Sequence, residues 1–141
     1  MAGIVVGELQ GRWHDCQVAV RFPIRFTGVN RAMSALGLTP SRSWAEVDDE
    51  RLRVRMGWAF TLDAARVSVR EARRDHERVT GWGVHGWRGR WLVNGSSSRL
   101  VRIGFGPPVR ARMGPIRLTV RELRVSVDDP DGLVAALTTR R

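Results

Sequence analysis

Apolar residues in this chain recur mostly at every second position, the period of strands that rest one face on a core. Val18, Val20, Phe22, Ile24 and Phe26 alternate with Ala19, Arg21, Pro23 and Arg25. Pro23 brings no N–H to a sheet ladder, so this strand belongs at an edge or bends there. Trp44 to Val47 reads as extended, and Asp48-Asp49-Glu50 as an acidic turn. Leu52, Val54, Met56, Trp58 and Phe60 then alternate with Arg51, Arg53, Arg55, Gly57 and Ala59. A third strand holds Val67 and Val69, whereas residues 71–78, EARRDHER, show no apolar face and read as a turn or a frayed strand end. Trp87, Gly89, Trp91 and Val93 alternate with Arg88, Arg90 and Leu92, and Asn94-Gly95 marks a tight hairpin turn. Val101, Ile103 and Phe105 form the return strand, and Pro107-Pro108 interrupts it before Val109, Ala111 and Met113. After a turn at Gly114-Pro115, Ile116, Leu118 and Val120 share one parity and Leu123, Val125 and Val127 the other. A bulge or turn is therefore required at Arg121-Glu122.

Two segments leave this period. Val29, Met33 and Leu36 fall at helical spacing after Thr27, with Gly37 and Pro40 as the stop, so the pattern predicts a short helix near 29–38. Asp128-Asp129 before Pro130 is a helix cap followed by proline in the first turn. Leu133, Val134 and Leu137 give that helix an apolar stripe, and Arg140 and Arg141 suit its negative end. The expected organisation is one unit over 1–141: an extension with a short helix (1–43), strands (44–127) and a capping helix (128–139). The core is expected to hold Leu52, Val54, Met56, Trp58, Ile103, Phe105, Leu118, Val125 and Leu137.

One motif competes with this picture. Gly81-Trp82-Gly83-Val84-His85-Gly86 spells G-x-G-x-x-G. A dinucleotide-binding turn needs a helix opening at the glycines and an acid about 20 residues on. Here strand periodicity follows, and the later segment RLVRIGFG carries no acid. The glycines instead mark a bulge or a close approach of strands.

Composition changes the picture in two respects. The chain has 141 residues, enough for one real core, and 43% hydrophobic content, with no apolar run near the length of a membrane helix. No signal peptide is seen at the start, so a cytoplasmic location is expected. Cys16 is the only cysteine, which excludes an internal disulfide, and His14-Asp15-Cys16 lacks metal-ligand spacing. The net charge of +10 comes from arginine alone, without a single lysine. Such usage follows from GC-rich coding, yet the charge attracts phosphates, anionic headgroups or acidic partners all the same.

TLDAARVSV, the glycine-rich GWGVHGWRG and the ending LRVSVDDPDGLVAAL resemble the bacterial pleckstrin-homology-like (PH-like) domains, over roughly residues 45–138. The resemblance implies a mostly β, open barrel of about seven strands plugged by an Asp-Pro-capped C-terminal helix. The helix near 29–38 and all that precedes it lie outside the match. The fold hosts lipid-headgroup binders, peptide binders and modules without a known ligand, and no lipid motif of the eukaryotic type is placed here. The resemblance thus carries a fold rather than a ligand.

No catalytic set emerges. His14, His76 and His85 have no nucleophile at a recognisable motif, and Ser96-Ser97-Ser98 is ordinary turn chemistry. The sequence therefore points to a non-enzymatic binding module with no implied cofactor or metal. Arg51, Arg53 and Arg55 form a row on one strand face, as do Arg88 with Arg90 and Arg110 with Arg112. If the strands are neighbours, the rows merge into a basic face for an anionic lipid surface or an acidic protein. Nucleic acid is the alternative for the same face. If they are not, the arginines pair with acids such as Asp48, Glu50, Glu71 or Glu122. Trp82, His85 and Trp87 are candidates for a small-molecule pocket. Against this, Trp87 and Trp91 share a parity that would fill a core.

Overall fold

The computed structural model describes residues 19–25, 42–76, 83–94, 96 and 98–139. The expected helix near 29–38, the ends of the first strand at Val18 and Phe26, His14 to Cys16, Trp82, Gly95, Arg140 and Arg141 lie outside the described residues. The described residues form nine strands and one α-helix. The strands are β1 (Val20–Pro23), β2 (Ser43–Val47), β3 (Arg51–Met56), β4 (Phe60–Ala65), β5 (Val69–Asp75), β6 (Gly83–Trp87), β7 (Arg90–Asn94), β8 (Leu100–Met113) and β9 (Ile116–Ser126); the helix is α1 (Pro130–Thr138).

All nine strands belong to one sheet that does not close, in the order β1-β2-β3-β4-β8-β9-β7-β6, with β5 also paired to β8. β1 to β4 form an antiparallel meander, β8 and β9 a long hairpin, and β7 runs parallel to β9. Pro23 ends an edge strand, as its missing donor requires. Beyond it, Ile24 bridges Val127 near the end of β9. The register of β8 against β9 slips between Gly104 and Val109, so that Val120 and Leu123 both face inward across Arg121-Glu122. This is the bulge that the change of parity demands. No helix among the described residues is long and apolar enough to cross a membrane.

The core follows the alternation of β2, β3 and β4. Ala45, Leu52, Val54, Met56, Phe60 and Leu62 are almost fully buried, with Ile103, Phe105, Val125 and Leu137 on the facing elements. Helix α1 packs chiefly on β5 and buries Leu133 and Leu137. Each leucine contributes about 1.5–3 kcal/mol by leaving water. Asp129 caps α1 by accepting the Gly132 N–H at 3.0 Å. Its C-terminal carbonyls, of Ala136 and Thr139, accept from the Arg66 guanidinium. The basic partner for the negative helix end thus comes from a 3-10 turn after β4.

Several expectations are corrected. Trp58 is 60% exposed. β3 ends at Met56, and Gly57, at φ 51°, opens a turn, so parity counted through that glycine no longer holds. Leu118 is only partly buried; it pairs with Ala111 close to the turn of the β8–β9 hairpin, where neighbouring residues are exposed. Val67 is 92% exposed on the 3-10 turn. Residues 71–75, expected as a turn or a frayed strand end, make up most of β5. Ala72 faces the core, and the nearly buried Asp75 is met by Arg102 and Arg124 at 3.4 and 3.5 Å. The tight turn of the glycine-rich segment is Arg88-Gly89, whose φ angles of 53° and 85° give the two left-handed residues of a two-residue hairpin. Asn94 ends β7 instead, and its buried amide donates to Ser96 O at 2.8 Å.

Candidate functional site

The outer face of the sheet is organised by register. Pro23, Trp44, Arg55, Thr61, Arg112 and Arg117 are successive cross-strand partners from β1 to β9. This row holds three arginines and no acid. The adjacent row runs Arg21, Glu46, Arg53, Asp63 and alternates in sign. The structure therefore places Arg51, Arg53, Arg55, Arg110 and Arg112 on one face, joined through β4, but gives them unlike neighbours.

Two of the three β3 arginines, Arg51 and Arg53, are largely neutralised. Arg51 Nε lies 2.7 Å from Asp63 Oδ1. Arg53 lies 3.2 Å from Asp48, 3.7 Å from Glu46 and 3.7 Å from Asp63. Arg21 meets Glu46 at 3.1 Å and stacks 4.2 Å over the Trp44 ring. Burial pushes the Asp48 carboxyl up, but the backbone N–H groups of Glu50 and Arg51, at 2.8 and 2.7 Å, and the Arg53 guanidinium outweigh it. They hold the carboxyl below the usual aspartate value.

The β8–β9 arginines are arranged otherwise. Arg112 faces Arg117 directly across the hairpin, and Arg110 faces Thr119. All three are exposed. Among the described residues no ion pair reaches Arg55, Arg110, Arg112 or Arg117; Arg55 donates instead to Gly57 O at 3.2 Å. Like charges opposite each other on paired strands are destabilising. Thr61, Asp63, Arg110, Ala111, Arg112 and Arg117 line an open cleft of about 340 Å³. Its one acid, Asp63, is already engaged by Arg51 and Arg53. Planar guanidinium groups match the paired oxygens of phosphate or carboxylate, which this cleft leaves room to admit.

Arg88 and Arg90 belong to the β6–β7 hairpin beyond β9. Arg90 faces Trp87 on one side and Glu122 on the other, and no register pairing links it to Arg112 or Arg117. Register pairing thus does not join Arg88 and Arg90 to the row of Arg55, Arg112 and Arg117. Of the pocket candidates Trp82, His85 and Trp87, the last two lie on β6, and Trp82 lies outside the described residues. His85 and Trp87 are both exposed, Trp87 by 75%, and among the described residues β6 is an edge strand paired with β7. Trp91 is the ring that packs: it occupies the space beside Gly86 that a Cβ would fill, and its Nε1 donates to Thr119 O at 3.3 Å. A larger cleft, of about 590 Å³, lies between the end of α1 and β5, lined by residues including Arg66, Arg70 and Leu137. Among the described residues no group of His, Cys, Asp and Glu side chains is placed to hold a metal.

No family model, curated protein or solved structure matches the chain.

Sequence reasoning passed over Arg117 and Thr61. The signal for Arg117 was present: a two-residue turn at Gly114-Pro115 puts Arg112 opposite Arg117 and Arg110 opposite Thr119. Nothing local announces Thr61, since β4 reaches β8 across a long stretch of chain.

Proposed function

We propose that this domain is a non-enzymatic binding module that docks on an anionic membrane surface through Arg112 and Arg117, assisted by Arg55 and Arg110. The observation that carries the reading is the direct opposition of Arg112 and Arg117 in a row with no acid. Two facing cations without a carboxylate are stabilised by an added anion, and each arginine near an anionic leaflet contributes about 1 kcal/mol. The mostly β, unclosed sheet with its C-terminal helix supports a module that presents a surface rather than a reaction centre. In this reading the location is cytoplasmic and peripheral to the membrane.

Co-sedimentation of the full chain with vesicles tests it. Binding to anionic vesicles, absent with neutral ones, persisting at physiological salt and resisting competing duplex DNA, is the expected result. Binding that DNA removes would turn the reading to nucleic acid. An absence of binding to either would leave the arginines as solvated charge.

A further inference from the structure

The acid-free row ends beside an apolar tip. The β3–β4 turn, residues 57–59, and the β8–β9 turn at Gly114-Pro115 are held side by side by the Gly114 N–H, which donates to Ala59 O at 3.2 Å. Gly57 and Gly114 sit at φ 51° and 58°, where a side chain would be strained, so both turns stay tight. The Trp58 ring lies against Gly114, with Cζ3 3.9 Å from where a Cβ would stand. Trp58 is 60% and Ile116 54% exposed. The adjoining turns thus carry one large exposed apolar side chain each, Ile116 standing one position from Arg117 and so on the other face of its strand. Arg55 bends toward the same turn through its bond to Gly57 O. Arg112 and Arg117 stand one position behind the last hairpin pair, Met113 with Ile116.

We infer that this tip is a membrane wedge: Trp58 and Ile116 enter the headgroup region of an anionic bilayer while Arg55, Arg112 and Arg117 hold lipid phosphates. The inference rests on the membrane-surface reading above and deepens it. Charge complementarity and the order of the residues select the occupant. Interfacial binding combines apolar insertion with basic groups at headgroup level. Tryptophan suits that boundary because its ring is apolar and its N–H is not. Arginine contacts alone weaken as salt screens them, whereas inserted apolar area does not. Duplex nucleic acid would engage the arginines but offers nothing to Ile116. The other exposed large apolar residues lie elsewhere: Val20 on β1, Val67 past the opposite end of β4, and Trp87 on the β6–β7 hairpin.

The test compares the full chain with its Trp58→Ser, Ile116→Ser double variant. The probes are phosphatidylglycerol–phosphatidylcholine vesicles and a soluble polyanion, inositol hexakisphosphate, both at physiological salt. Both positions are exposed, so folding should persist; circular dichroism checks it. The expected result is vesicle binding weakened by about tenfold or more, with polyanion binding unchanged. Vesicle binding equal to wild type overturns the wedge and leaves the membrane-surface reading standing. Wild-type protein that binds the polyanion but no vesicles overturns both. A second measurement does not depend on that variant's folding. Vesicles containing brominated phosphatidylcholine should quench part of the wild-type tryptophan fluorescence, and Trp58→Phe should remove that part. Quenching that survives Trp58→Phe undiminished overturns the insertion of Trp58.

Discussion

The arginines of β3 and those of the β8–β9 hairpin lie on the same outer face and show the same every-second-residue spacing in sequence. They differ in what lies across from them. Arg51 and Arg53 face a strand that offers Asp63, and they also reach Glu46 and Asp48. Arg112 faces Arg117. A run of arginines on a strand therefore says only that a face is polar. Cross-strand register decides whether that face is neutral or poised for an anion.

The comparison is broken most directly by removing the acid that quiets β3. Asp63→Asn should leave Arg51 without its carboxylate and Arg53 with weaker company. Binding to anionic vesicles is then expected to rise about fivefold, the effect of roughly 1 kcal/mol from one added net charge. Urea unfolding should show a loss of no more than about 1 kcal/mol, because these pairs are exposed. Unchanged binding would mean that ion pairing is not what keeps Arg51 and Arg53 silent.

A smaller effect concerns the paired region alone. Asp48 is held below its ordinary acidity range, so its contribution to stability is present above the unfolded value of about 3.9 and is lost as pH falls through the lower folded value. Thermal unfolding of wild type and Asp48→Asn should differ by a constant amount from pH 7 to about 5, and the gap should narrow below about pH 4. A gap that persists unchanged into strong acid would show that the Asp48 hydrogen bonds and its pairing with Arg53 add nothing through charge.

Much of the fold was legible where local pattern and burial agree. β2, β3 and the two parities of β9 follow from alternation, and α1 follows from Asp129-Pro130 and its leucines. What failed did so for identifiable reasons. Residues 71–75 carry few apolar side chains, and long-range pairing to β8 with burial of Asp75 makes them a strand. Turn conformation misled twice. Gly57 takes Trp58 out of the count, and Arg88, an arginine with left-handed φ, gives no compositional hint of the hairpin it opens. In the candidate site, Arg110 and Arg112 were visible as a pair; Arg117 was passed over, although pairing the strands about the Gly-Pro turn sets it opposite Arg112. The neutralisation of Arg51 and Arg53 was readable only as an alternative, because strand neighbours are set by topology and not by spacing.

Anionic-vesicle binding should therefore be compared for two double variants that lose the same charge, Arg112→Gln with Arg117→Gln and Arg51→Gln with Arg53→Gln. Loss of about thirtyfold in the first and no more than about threefold in the second is expected if the unpaired arginines form the binding site. Equal losses in the two would contradict it, since binding would then follow net charge and not the register that sets Arg112 against Arg117.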